Sequence, residues 1–368
     1  MKHPIEILYV VSTLKKTGPI NLLYDIVKNI DNTRFKVSVL TLSPEESPSK
    51  EQDFVDIGVK VHKLNLSRIA LALWGNRQFL KMIKQIDPDI LHGHGLRPDY
   101  YISKLVNQNT YTTIHNYPHM DYPYSHGEIL GRIMAKVQLD CIRATKHPIA
   151  CSKAISDELK SRFGINSCFI RNGVDIEEYR TVDSSQKMEL RKKYNIPQDV
   201  KVFISVGWLS ERKNPLPLIQ MFRKAKFGNS FQLIIIGKGD LLDQCIQLKT
   251  ESIHLLGYVE NLNDYLNLAD YYISASKAEG MPCSVLQAMA CGLPVLLSDI
   301  PPHREIWDLN PQVGVLFDAE NSEDLLKAYN GIQSINQLVA GQAARKTVEA
   351  HFSTQHMTKM YENMYSGR

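Results

Sequence analysis

Several features are scarce in this chain of 368 residues, and each scarcity excludes something. Its six cysteines, Cys141, Cys151, Cys168, Cys245, Cys283 and Cys291, include no Cys-x-x-Cys pair. Scattered in this way they read as reduced, mostly buried thiols of a cytosolic protein rather than as a disulfide framework. No stretch approaches the roughly 20 uninterrupted apolar residues of a membrane span. The first apolar run, Ile5 to Val11, contains Glu6 and is too short for a secretory core region, so it is read as a first strand. Charge of one sign is also scarce: 43 Lys and Arg face 39 Asp and Glu, a net charge of +4 that gives no ground for a nucleic-acid partner. No Gly-x-Gly-x-x-Gly is present where a dinucleotide would need one, so no cofactor is expected.

What is present is an alternation. With 43% hydrophobic and 22% charged residues the chain reads as soluble and globular, and its length accommodates about two domains with substantial cores. Short apolar runs recur at Ile5–Val11, Phe35–Leu42, Val59–Leu64, Ile90–His92, Tyr111–His115 and Pro148–Cys151, each followed by a helical pattern. After a turn cluster at Asn172-Gly173-Val174-Asp175 the alternation restarts at Val202–Val206, Phe231–Ile236, His254–Leu256, Tyr271–Ala275, Val295–Ser298 and Val313–Phe317. This is an α/β pattern of two Rossmann-like, doubly wound parallel sheets, at 1–175 and 176–350. Such sheets bind ligands at the carboxyl ends of their strands, which points to a gap between the two domains as the site. The charge surplus lies wholly in the first half, with 23 basic against 19 acidic residues through Glu178 and 20 against 20 after it. That bias fits a face resting on anionic lipid or meeting a phosphorylated acceptor, and fits an incidental imbalance equally well.

The chain is organised around Tyr271 to Ser298, YYISASKAEGMPCSVLQAMACGLPVLLS. The pattern predicts a strand, a loop at Lys277–Gly280, a helix from Pro282 to Cys291 and a second strand at once. Pro282 suits a first helical turn, Gly292 can end the helix with positive φ, and Pro294 prevents its resumption. The unpartnered N–H groups of a first turn make this junction a place to hold phosphate. Glu279 stands just before it, and Gln287 follows about two turns down.

Glu279, Gly280 and Pro282, with the downstream Ala290, Gly292 and Pro294, resemble the signature of the retaining glycosyltransferases of family 4, whose fold is GT-B. The signature's second Glu is Gln287 here. An amide still offers an acceptor and two donors to a ribose diol, without the charge-assisted bond of a carboxylate. The resemblance implies that Glu279 and the backbone of Gly280, Met281, Pro282, Cys283 and Ser284 meet the donor sugar and its phosphates, and that Gln287 meets the ribose. It implies that the Arg212-Lys213 pair in VGWLSERKNP stabilises the departing diphosphate without a metal, and that Gly207 admits close approach. Replacing both cations by Ala is accordingly expected to reduce turnover far more than folding. Gly237 and Lys238, and Tyr258 and Val259, would line the nucleotide, and Gly18 before Pro19 the phosphate side of the first domain. By the same resemblance 351–368 would cross back to the first domain.

His115 closes the strand YTTIH at the carboxyl edge; it reads as a structural histidine or, by the resemblance, as a contact to the donor sugar. His92 and His94 in HGHG read as a cleft-lining loop, with no second ligand cluster nearby in sequence to make a metal site. Tyr117, Tyr122 and Tyr124, on a proline-containing loop, read equally as a stacking surface for an acceptor sugar and as loop packing. The helical stretch Ile129–Lys146 mixes cations with apolar residues, a pattern of a core helix that also permits membrane contact.

The resemblance thus implies a cytoplasmic enzyme, peripheral at the inner face of the membrane, that transfers a sugar from a nucleotide-sugar donor, UDP favoured, to a glycan or lipid-linked acceptor. Two alternatives share the fold: an epimerase of nucleotide sugars, which would need catalytic carboxylates that do not stand out, and a non-catalytic nucleotide-sugar-binding subunit, motivated by Gln287 and the single glycine at Gly18.

Overall fold

The computed structural model describes residues 3–105, 107–224 and 231–367; the expected domain termini at Met1 and Arg368 lie outside them. The chain forms two compact units, one running to Asn172 and resuming at Thr354, the other comprising Gly173–Ser353. In the first, β1 (Ile5–Val11), β2 (Phe35–Thr41), β3 (Lys60–Lys63), β4 (Ile90–His94), β5 (Thr110–Ile114), β6 (His147–Ala150) and β7 (Cys168–Phe169) form one sheet in the order β3-β2-β1-β4-β5-β6-β7. In the second, β8 (Lys201–Val206), β9 (Phe231–Ile236), β10 (Ile253–Gly257), β11 (Tyr271–Ser274), β12 (Val295–Ser298) and β13 (Gly314–Phe317) follow the order β10-β9-β8-β11-β12-β13. Every pairing in both sheets is parallel.

The physical reason is visible strand by strand. A parallel sheet needs crossover helices on its faces, so its central strands are covered on both sides and read as unbroken apolar runs. Leu8, Tyr9 and Val10 of β1, and Val295, Leu296 and Leu297 of β12, are all inaccessible to solvent. The strand order reverses direction between β1 and β4 and again between β8 and β11, and at such switch points the loops leaving the carboxyl ends diverge to opposite faces and leave a crevice. The loops after β8 and β11 therefore lie side by side.

The first sheet runs further than the sequence pattern indicates. β4 continues through His94, and both His92 and His94 are buried within it. The expectation of a loop at HGHG is therefore corrected: the glycines lower strand propensity, but hydrogen bonding buries both imidazoles. His92 Nδ1 lies 2.5 Å from the Tyr365 hydroxyl and its Nε2 lies 2.8 Å from Thr113 Oγ1. Tyr365 in turn meets the Tyr9 hydroxyl at 2.9 Å, and Thr113 meets Tyr361 at 3.1 Å. Tyr361 and Tyr365 come from the helix Thr354–Tyr365, which packs Met357, Tyr361 and Tyr365 into the core of the first unit. A polar network so fully paired costs little to bury and fixes the docking of that helix.

Tyr117, Tyr122 and Tyr124 are also relocated. They lie at the start of and within the helix Pro118–His126 rather than on a loop; Tyr117 is buried, and Tyr122 donates to Gln138 Oε1 at 2.7 Å. Only Tyr124 of the three is an exposed ring.

Candidate functional site in the second unit

β8 ends at Val206, and the loop that follows carries Gly207, Trp208, Arg212 and Lys213. β11 ends at Ser274, and its loop carries Ser276 and Glu279 before the helix Cys283–Ala290. A backbone bond from Lys277 N–H to the Arg212 carbonyl, 2.8 Å, ties the two loops together. The result is a charged cluster around one carboxylate. Lys213 Nζ lies 2.5 Å from Glu279 Oε1, and an Arg212 Nη donates to Glu279 Oε2 at 2.9 Å and to the Ala278 carbonyl at 2.7 Å. Ser276 Oγ donates to Glu279 Oε1 at 2.7 Å.

Glu279 is 5% exposed. Burial by itself would raise its pKa, but Lys213 and Arg212 outweigh that and hold it down at about 2. The carboxylate is charged at all physiological pH, and the two half-buried cations carry one more positive charge than it neutralises. His303 stands behind the cluster, fully buried, with Nδ1 2.9 Å from the Ser298 carbonyl and 3.0 Å from its hydroxyl. Burial pushes its pKa down to about 4 against the pull of Glu279, so it is neutral at pH 7. Sequence reasoning missed Ser276, Ser298 and His303, because none belongs to a spaced motif: Ser276 meets Glu279 directly, Ser298 Oγ donates to the Ser276 carbonyl at 2.6 Å, and His303 meets Ser298.

The helix starts one residue later than the pattern indicates, at Cys283, with Pro282 as its N-cap at φ −77° and ψ 91°. Its first turn has no acidic residue and no capping side chain, so the positive end of the helix is not neutralised locally. Gly292 ends it at φ 76°, as a positive-φ terminator should. The Tyr272 hydroxyl fixes the start of the helix against β8, lying 2.9 Å from Ser284 Oγ and 3.3 Å from the Val206 carbonyl. Met281 and Pro282 are buried, which leaves backbone rather than side chain for any ligand at those positions; Cys283, Ser284 and Gln287 are half-buried.

Beside the cluster lies a cavity of about 260 Å³, lined by Gly207, Trp208, Gly237, Lys238, Tyr258 and Val259 among others. This brings together five residues singled out from the sequence and adds Trp208, which is 57% exposed. Glycine is required at one of these positions: a Cβ on Gly237 would stand 1.8 Å from the Gly207 carbonyl oxygen. A Cβ on Gly207 would meet the flexible end of the Lys213 side chain at 3.1 Å. The second distance also shows that the cavity adjoins the cations. At this volume the cavity is smaller than the roughly 300–1,000 Å³ of sites that enclose a whole small molecule, and suits one ring of a larger ligand.

Gly18 and His115 belong to the first unit, where each follows the carboxyl end of a strand, β1 and β5 respectively. Gly18 begins the helix Gly18–Asn29, is exposed, and a Cβ there would meet nothing within 4 Å, so no packing in the protein demands glycine. His115 is half-buried, with Nε2 3.0 Å from His94 Nδ1, and burial lowers its pKa to about 4. Among the described residues no group of three or more His, Cys, Asp or Glu side chains is arranged to hold a metal ion.

The chain is similar to known proteins along nearly its whole length. Residues 186–347 match the family model for glycosyl transferases group 1, and residues 18–178 match that for glycosyltransferase family 4. The O-antigen biosynthesis glycosyltransferase WclY of Escherichia coli is 25% identical over 98% of both chains. A UDP-Gal:alpha-D-GlcNAc-diphosphoundecaprenol alpha-1,3-galactosyltransferase of Escherichia coli is 30% identical over 36% of each chain. In fold, the chain is similar to HepE of Anabaena in complex with UDP-glucose, with a TM-score of 0.82 at 16% identity over 99% of this chain and 100% of that one. A glycosyltransferase from Rickettsia africae superimposes with a TM-score of 0.80 at 18% identity, covering 100% of this chain and 99% of the other. The fold is GT-B, and with family models matching both of its halves the chain belongs to the group 1, family 4 glycosyltransferases.

Proposed function

We propose that the protein is a retaining glycosyltransferase that takes a sugar from a nucleoside diphosphate donor, UDP favoured, and passes it to a hydroxyl of a lipid-linked or polysaccharide acceptor in the assembly of a bacterial surface glycan. The observation that carries this reading is the adjacency of a ring-sized, aromatic-edged cavity to a cluster with one excess positive charge beside a helix N-terminus. A ring joined to a diphosphate has that shape and charge. The acceptor class draws on the relatives, whose names refer to O-antigen synthesis and to a diphosphoundecaprenol substrate.

In the reaction the bond between the anomeric carbon and the terminal phosphate oxygen breaks, and a bond to the acceptor oxygen forms on the same face of the sugar. The acceptor proton passes to the departing phosphate oxygen. Arg212, Lys213 and the first-turn amides after Gly280 oppose the charge that grows on the diphosphate, which favours the transition state over the bound donor. No metal is needed for that task. Glu279 and His115 position the donor sugar, and Gln287 the ribose.

Peripheral membrane contact is part of the same proposal and rests on the first unit. The helices Arg68–Ile86 and Glu128–Ala144 expose Ile69, Leu73 and Trp74, and Ile129, Leu130 and Ile133, each more than half accessible. Arg68, Arg97, Tyr100 and Val137 line one small cavity, so both helices border it. Apolar side chains flanked by arginines suit the headgroup boundary of an anionic bilayer. Among the described residues no helix is long and apolar enough to cross a membrane.

The deciding experiment is donor turnover. Full-length protein is offered UDP-, GDP- and ADP-sugars with and without membrane extracts, with EDTA in parallel, and the anomeric configuration of the product is read. Release of nucleoside diphosphate with a retained linkage in EDTA supports the proposal. Binding without turnover of any donor supports the non-catalytic reading, and an altered free nucleotide sugar supports the epimerase. Co-sedimentation with vesicles containing phosphatidylglycerol, abolished by Ile129→Asp with Ile133→Asp, tests the membrane contact; equal sedimentation of both proteins refutes it.

A further inference from the structure

His94 and His115 share one hydrogen bond, and its direction decides what His115 presents to a ligand. Both rings are held neutral by burial, so each carries a single N–H and only one proton lies between His94 Nδ1 and His115 Nε2. Two arrangements exist. If His115 donates, the proton of His94 must sit on its Nε2, and if His94 donates, its Nε2 is a bare lone pair. His94 Nε2 is buried and has no hydrogen-bond partner among the described residues. A buried N–H without an acceptor is rarer in folded proteins than an acceptor without a donor.

We infer that His94 is a positioning residue: its Nδ1–H donates to His115 Nε2 and thereby locks His115 in the tautomer whose Nδ1 carries the proton. His115 Nδ1 makes no hydrogen bond among the described residues, and the ring follows the carboxyl end of β5, where ligands of parallel sheets are bound. His115 then offers a neutral N–H donor, suited to a hydroxyl, carbonyl or phosphate oxygen. The opposite tautomer would offer an acceptor there and would favour a ligand hydroxyl as donor. The neighbouring rings support the lock: His94 lies tilted against His92, with centroids 4.7 Å apart, and against His115, with centroids 5.1 Å apart, so it has little freedom to flip. The role in sugar positioning rests on the proposed transferase reaction, whereas the tautomer does not.

The test uses the full chain labelled with ¹⁵N-histidine, in which two-bond ¹H–¹⁵N correlations identify the protonated nitrogen of each ring at pH 7.5. The expected spectrum shows His115 protonated on Nδ1 and bare on Nε2. His94→Asp, whose carboxylate can only accept, should bring a proton onto His115 Nε2 and lower kcat/KM for the donor about tenfold, the effect of one hydrogen bond. The isosteric His94→Asn, whose amide can donate from nearly the same point, should restore both. A wild-type His115 protonated on Nε2, or a bare Nε2 in His94→Asp, overturns the inference. If His94→Asp fails to fold, the wild-type spectrum decides alone. A correct spectrum without sugar transfer refutes the transferase reading and leaves the lock standing, and the converse result does the opposite.

Discussion

Acid should loosen the first unit, by an amount that the histidines of β4 and β5 set against the opposing pull of Asp99. His92 and His115 have pKa values lowered to about 3 and about 4, and that of His94 is also well below its ordinary value, all chiefly by burial. A base with a folded pKa below its unfolded value of about 6.5 contributes stability that is intact above pH 6.5 and is lost as the pH falls toward the folded value. At pH 5.5 the unfolded chain gains about 1.4 kcal/mol from protonating each such histidine, about 4 kcal/mol for the three. Asp99 works in the opposite direction: burial raises its pKa to about 7, so it takes up its proton in the folded protein over this interval and returns about 2 kcal/mol, leaving a net loss of about 2 kcal/mol from the first unit. His303, with a pKa of about 4, removes about 1.4 kcal/mol from the second over the same interval. Since whole domains are stable by about 5–15 kcal/mol, losses of this size are measurable. Hydrogen exchange read by mass spectrometry, corrected for intrinsic rates, should show opening of β4 and β5 becoming easier between pH 7.5 and 5.5, while β11 and β12 change somewhat less. His92→Gln should flatten the first slope by roughly one histidine's share. Protection of β4 and β5 that is flat or rises over this range would refute the claim that these rings are buried in their neutral form.

Glu279→Gln removes the carboxylate between two cations and should destabilise the second unit by about 3 kcal/mol, measured by urea unfolding. UDP should then raise the melting temperature of the variant more than that of the wild type, because the diphosphate supplies the missing charge; an equal or smaller rise would contradict the site. Replacing both Arg212 and Lys213 by Ala also strands a buried carboxylate, so beside the loss of turnover stability should fall by about 3–5 kcal/mol. The informative variant is Arg212→Gln with Glu279→Gln, expected to fold and to lose about 100-fold in kcat; near-normal turnover would exclude Arg212 from the reaction. Gly237→Ala drives a Cβ into the Gly207 carbonyl and should weaken UDP binding more than tenfold by calorimetry, with unchanged affinity refuting the cavity as the nucleotide's place. A chain ending at Ser353 lacks Met357, Tyr361 and Tyr365 from the first core, and its first unit should show no exchange protection; native protection would mean that the helix Thr354–Tyr365 is dispensable.

Strands and motifs are legible along the chain, for a local reason. Runs such as Leu8-Tyr9-Val10 are apolar because both faces of a parallel strand are covered, and Glu279-Gly280-Met281-Pro282 must break a strand and open a helix within a few residues. Gly207 and Gly237 could be singled out for the same reason, since glycine marks close backbone approach wherever the partner lies. What those residues touch is set by folding. The pairing of Arg212 and Lys213 with Glu279 spans more than 60 positions and arises because the strand order reverses between β8 and β11. His92 and His94 look like a polar loop until Thr113 and Tyr365 arrive from 21 and 273 residues away to satisfy His92, and His115 to meet His94. Patterns of hydrophobicity report how a residue meets solvent and its chain neighbours; which charge or hydrogen bond compensates its burial depends on partners that only folding brings within 3 Å.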